Sequence, residues 1–167
     1  MFFQNLQKIF LLITISAAAL LVFIWYKDYT FFEKPLDKRY IQQIKIKQKE
    51  LKYLAKINFN VIKDFPVIVS DDMNDNRFGM AVYEKNGSIK IYLNKKRFKE
   101  SSNYMINDVL PHEYAHAIMF FLGDFSKENS GHTKKWQLIC QKLNGLRCER
   151  FVNHNDILIE KTSIFNN

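Results

Sequence analysis

The sequence predicts an α+β domain carried on one N-terminal membrane-spanning helix. Residues 9–26 form an uncharged apolar run. Farther on, apolar and polar residues alternate beside an Asn86-Gly87 pair, the pattern of a β-hairpin. Two later stretches repeat apolar residues at helical spacing, and the first contains His112-Glu113-Tyr114-Ala115-His116.

Crossing a bilayer core takes about 20 apolar residues. The 18 residues from 9 to 26 therefore suffice with help from their flanks. Trp25 and Tyr26 close the run as an interfacial belt would, and Lys8 and Lys27 bracket it. A cleaved signal peptide is the competing reading, with Ala17-Ala18-Ala19 as the cleavage site. Cleavage there would leave Leu20 to Tyr26 exposed on the mature chain, so an uncleaved anchor is expected. The division is thus residues 1–29 as anchor and 30–167 as one domain, long enough for a real core. Lys27, Lys34, Lys38 and Arg39 outnumber Lys8 and the terminal amine, which leans toward a cytoplasmic domain. Short N-terminal anchors can also export the domain behind them, so the side of the membrane stays open.

Residues 36–57 read as a helix with Ile41, Ile44, Leu51 and Ala55 on one face and lysines opposite. Between residues 33 and 56 there are eight Lys/Arg against three Asp/Glu. Such a surface suits anionic lipid or nucleic acid, and equally a solvated helix face. Strands are expected at 67–69, at 80–83 and at 88–93, forming a small antiparallel sheet. Ile89, Ile91 and Leu93 alternate with Lys90 and Tyr92, so one face is buried. An edge strand of this sheet would be able to hold an extended peptide. Lys95, Lys96, Arg97 and Lys99 form a second basic cluster.

The two remaining helices lie near 104–122 and 133–144. Pro111 requires either a start near Asn107 or a kink. In the last helix Trp136, Ile139, Cys140 and Leu143 share a face. Cys140 and Cys148 are expected as two small buried apolar residues rather than a pair.

The chemistry sits in the first of these helices. Residues i and i+4 stand one above the other on a helix, so His112 and His116 can bind one Zn²⁺, with Glu113 beside it as general base. Structural zinc sites use four protein ligands and catalytic ones three. His132 and His154 are the histidines left. His132 follows Gly131 at the start of the last helix, where it can face back to the motif. Glu128 and Glu149 are weaker alternatives, one in a loop and one beyond the helix. A third histidine after His-x-x-Gly is excluded, because Met119 occupies the glycine position. His154 is a candidate oxyanion partner or a solvent-facing residue. Tyr114 points off the ligand face and is expected to pack.

The run Val109-Leu110-Pro111-His112-Glu113-Tyr114-Ala115-His116-Ala117, then Gly131-His132-Thr133-Lys134-Lys135-Trp136, then Leu143-Asn144-Gly145, resembles the SprT family of zinc metalloproteases. The resemblance covers about the last two-thirds of the chain. It implies a zincin-like fold, zinc held by His112, His116 and His132, Glu113 as the base, and a protein or peptide substrate. Many SprT-like proteins carry a zinc ribbon of paired C-x-x-C motifs; only Cys140 and Cys148 are present here, so no second zinc site is expected. Some SprT-like relatives act on nucleic-acid-bound proteins. Beyond Tyr29 there are 23 Lys/Arg and 16 Asp/Glu, a net of +7, which is compatible with such a role. A membrane partner through residues 9–26 argues against it. A zinc-stabilised scaffold without turnover is the remaining alternative class.

Overall fold

The computed structural model describes residues 2–149. The chain divides into two compact units, one ending at Pro35 and the next beginning at Leu36.

The first unit is the single helix α1 (Phe2–Glu33). At 1.5 Å per residue its 32 residues extend about 48 Å, more than a hydrocarbon core of about 30 Å. Its apolar side chains are exposed along its length. The hydroxyls of Thr14 and Ser16 donate to the carbonyls of Phe10 and Leu12, so the two hydroxyls inside the apolar run are satisfied within the helix. The helix is long and apolar enough to cross a membrane.

The second unit begins with α2 (Lys38–Phe59). The Asp37 carboxylate caps it by accepting from the Arg39 N–H at 2.7 Å, and Asn60 ends it in the left-handed region at φ 55°. Ile44, Leu51 and Ala55 are buried, as their spacing predicts. Ile41 is not: it is 41% exposed, at the edge of the apolar stripe. Tyr40 is used instead, packed edge-on against Phe98 at 5.7 Å.

The sheet consists of β1 (Val67–Ser70), β2 (Gly79–Tyr83) and β3 (Ile89–Asn94), in the order β1-β3-β2. It is mixed, which corrects the antiparallel expectation. The hairpin pairs β2 and β3 antiparallel, with Gly79 opposite Leu93 and Tyr83 opposite Ile89. β1 pairs with the far edge of β3 in parallel, Val67 opposite Ile91. Residues 71–78 carry the chain past the C-terminal end of β3 to its other side. That crossing is clamped from below by Asn94, whose side-chain amide donates to the carbonyls of Asn74 and Arg77 at 3.2 and 2.8 Å. The second basic cluster serves the same crossing. Lys95 pairs with Asp71 at 2.8 Å, Lys96 with Asp75 at 2.6 Å, and the Arg97 Nε–H donates to the Asp75 carbonyl at 2.7 Å.

After α3 (Lys95–Glu100) and the single turn α4 (Ser102–Tyr104), the chain makes a π-helical turn (Met105–Val109) before α5 (Leu110–Phe121). Neither a start near Asn107 nor a simple kink is observed. The Leu110 N–H donates to the Met105 carbonyl, five residues back. Widening the helix in this way accommodates Pro111, which has no N–H for the ordinary ladder. The core lies between α5, the sheet, α2 and α6 (Lys134–Lys142), with Leu51, Phe65, Leu93, Tyr114 and Trp136 among its buried side chains.

Cys140 and Cys148 are joined in a disulfide, against the expectation of two separate thiols. α6 stops at Lys142, and Asn144 at φ 57° turns the chain back. The two Cα atoms come to 5.7 Å, inside the range a disulfide spans. Gly145 fills the turn, where an added Cβ would stand 2.7 Å from one sulfur and 3.0 Å from the other.

Candidate metal centre and active site

α5 presents His112 and His116 on one face. Gly123, at φ 75°, releases the chain from α5, and residues 124–131 fold back over it. The end of this loop is set by Gly131 at φ 84°. A Cβ there would rest in ordinary contact with the His116 ring at 3.4 Å, so it is the left-handed φ that calls for glycine. Thr133 caps α6 by accepting from the Trp136 N–H at 3.2 Å, which fixes His132 just outside the helix.

These three histidines converge. His132 Nε2 lies 3.0 Å from His112 Nε2 and 3.3 Å from His116 Nε2. All their ligand atoms fall within 4.8 Å of one another, and the group can hold a metal ion. Four ligands at about 2.0–2.1 Å around a tetrahedral ion stand about 3.3 Å apart, close to these separations. Burial, then the neighbouring rings, pushes the His112 imidazole down to about 3, and burial with the His132 ring does the same for His116. Both are therefore neutral at pH 7, the form that offers a lone pair. A neutral imidazole has one N–H, so three converging Nε2 atoms cannot all be satisfied by one another; a cation satisfies all three.

The floor beneath them is Trp136. Its ring lies 4.6, 5.2 and 4.5 Å from the rings of His112, His116 and His132. Helical spacing marks Trp136 as a core position of α6; its packing against all three imidazoles was not legible in the sequence.

Glu113 is buried beside this cluster. Its Oε2 accepts from the Ala81 N–H at 3.0 Å, tying α5 to β2. Gly79 makes room for it: a Cβ there would stand 2.8 Å from Glu113 Cγ. Burial raises the Glu113 carboxyl to about 7, with the Ala81 N–H and the Arg77 guanidinium pulling the other way. The sequence could not identify Gly79 or Ala81, since both act through backbone or absence of side chain. Tyr114 packs as expected, edge-on to Phe65 at 5.2 Å. Glu128 is exposed, and neither it nor Glu149 joins the histidine group. His154 lies outside the described residues.

The Glu113 shift predicts a measurable cost. Its folded value, about 7, exceeds the ordinary 4.5, so between those pH values the folded chain holds a proton the unfolded chain has lost. Stability then falls as pH rises through that window, and the cost is complete above it. Glu113→Gln removes the charge, and its amide oxygen can still accept from Ala81. The metal-free variant is expected to melt several degrees higher than the metal-free wild type at pH 8 and to lose that advantage near pH 4. Equal melting temperatures at pH 8 would count against a strained carboxylate.

Beside His116 lies an open cavity of about 710 Å³, walled by Ala81, Tyr83, Phe120, Phe125 and Gly131. Tyr83 meets Phe125 edge-on at 5.0 Å, and Phe120 stacks on Phe125 at 5.6 Å. Among the described residues, β2 has β3 on one side only. The other side faces this cavity and Glu113.

Residues 40–157 match the SprT-like family. No curated protein and no solved structure matches the chain.

Proposed function

The chain belongs to the SprT-like family, and on that premise we propose that it is a membrane-anchored, zinc-dependent peptidase. Family membership supports a metalloprotease-type activity, and the convergence of three imidazoles, with His112 and His116 held neutral, beside a buried carboxylate is the observation that carries the reading. His112, His116 and His132 hold the metal, and three protein ligands are the number catalytic zinc sites use. A bound zinc ion supplies the Lewis acidity that brings the pKa of a water toward ~7 and polarises a peptide carbonyl.

Glu113 is the general base. Its Oε2 is engaged by Ala81, which leaves Oε1 to take a proton from the attacking water. A carboxyl whose pKa is raised toward neutrality also gives the proton back readily, here to the departing amine. The substrate lies extended along β2, which supplies backbone partners on its open side. The aromatic cavity beside His116 accepts an apolar side chain of that peptide.

The reading is tested by incubating purified full-length protein with an unfolded protein such as casein. Cleavage should stop with a zinc chelator and return when zinc is added back. A preparation with full zinc and no cleavage of any unfolded substrate would leave a scaffold as the better account.

Residues 9–26 are proposed as the anchor, supported by the length, apolarity and full exposure of α1. The Cys140–Cys148 disulfide favours a domain on the oxidising side of that membrane, against the count of basic residues. Full-length protein is expected in the membrane pellet after alkaline carbonate. Its cysteines should resist a thiol reagent until a reductant is added. A soluble protein with an intact N-terminus would remove the anchor, and free thiols in a freshly lysed sample would favour the reducing side.

A further inference from the structure

The helix α2 has two apolar faces, and only one meets the core. Ile44, Leu51 and Ala55 are buried. Ile46, Tyr53 and Ile57 are 61%, 63% and 57% exposed. At 3.6 residues per turn these three fall within about 40° of one another, on roughly the opposite side of the helix from the buried stripe. Lys45, Lys49, Lys52 and Lys56 form a row along one flank of this outer stripe, within a band of about 60°, and all four are exposed. Lys52 pairs with Asp64 at 3.6 Å. Lys45, Lys49 and Lys56 have no carboxylate in ion-pair range among the described residues. A single exposed apolar residue is ordinary; an aligned stripe with lysines along it is the pattern of a helix lying in a membrane interface.

We propose that the outer face of α2 docks on an anionic bilayer surface, with Ile46, Tyr53 and Ile57 entering the headgroup boundary and the lysine row meeting lipid phosphates. Three observations select this occupant. α2 carries seven Lys/Arg and one Glu, so two copies packed through this face would oppose like charges. A nucleic-acid backbone would leave the apolar stripe without a role. Only residues 34–37 separate α2 from α1 in sequence, a tether of at most about 14 Å, so α2 stays within reach of a bilayer that α1 spans, and in that respect the inference rests on the anchor reading. Docking would turn a loosely tethered domain into one held at a fixed height, with its substrates drawn from the membrane surface.

The test is lysine footprinting of the full-length protein. The protein is placed in lipid nanodiscs and acetylated, and each lysine is read by mass spectrometry. On discs of about one-third phosphatidylglycerol, labelling of Lys45, Lys49 and Lys56 should slow roughly fivefold or more relative to pure phosphatidylcholine discs. The exposed Lys85 and Lys134 should not change. The combined substitution Ile46→Ser, Tyr53→Ser and Ile57→Ser lies off the core and should abolish most of the protection. Equal labelling on the two lipids overturns the proposal, whatever the variant does. Protection in detergent that rises with protein concentration overturns it in favour of a second copy. Protection by duplex DNA without protection on anionic discs overturns it in favour of nucleic acid. Retention in neutral discs reports on α1 alone, so a failed anchor and a failed docking face give different results.

Discussion

Glu113→Gln is expected to reduce peptidase turnover by roughly 10²–10⁴-fold while leaving the zinc content unchanged. The carboxylate is buried, 3.0 Å from the Ala81 N–H, in a space that Gly79 keeps open. Glutamine fits the same space and accepts the same hydrogen bond, but cannot accept a proton from water at neutral pH. The loss should therefore appear in kcat, with little change in KM, because the proton transfer belongs to the transition state. Undiminished turnover in the variant would remove Glu113 as the base.

His132→Ala is expected to weaken zinc binding by more than roughly 100-fold, beyond what loss of a mere supporting partner costs. His112 and His116 would remain on one face of α5 with nothing from the second side of the site. Their shared wall, Trp136, would still be in place. Zinc per chain after dialysis gives the answer without any activity measurement. Stoichiometric zinc in the variant would reject His132 as a ligand and point to Glu128, Glu149 or His154. The same measurement on His112→Ala and His116→Ala should give losses of the same order.

The constellation was legible because its parts are local. His112, Glu113 and His116 lie within one helical turn and a residue, and Gly131-His132 before a capping threonine announces a tight loop into a helix. Helical and strand periods placed α2, β2, β3 and α6 to within a few residues. The non-local features were hidden. Alternation at Ile89, Ile91 and Leu93 says which face is buried and not which strand lies alongside, so the parallel pairing of β1 with β3 went unread. The acceptors that hold residues 71–78 against β3 and α3 are carbonyls or acids too far along the chain to be paired by pattern. Asp71 and Asp75 were the available signal for the role of Lys95 and Lys96. The disulfide depends on the left-handed turn at Asn144, and Asn-Gly just beyond a helix was the clue to it. Gly79 and Ala81 act on Glu113 without side-chain chemistry, so composition and spacing carry no trace of them.

Three histidine ligands, and only three from the protein, separate a working peptidase from a zinc-stabilised scaffold. X-ray absorption at the zinc edge of the full-length protein measures that number directly. Three imidazole nitrogens are expected at about 2.0–2.1 Å, with no sulfur neighbour at about 2.3 Å and a fourth position not filled by a side chain. Four protein ligands, or any sulfur in the shell, would contradict that arrangement.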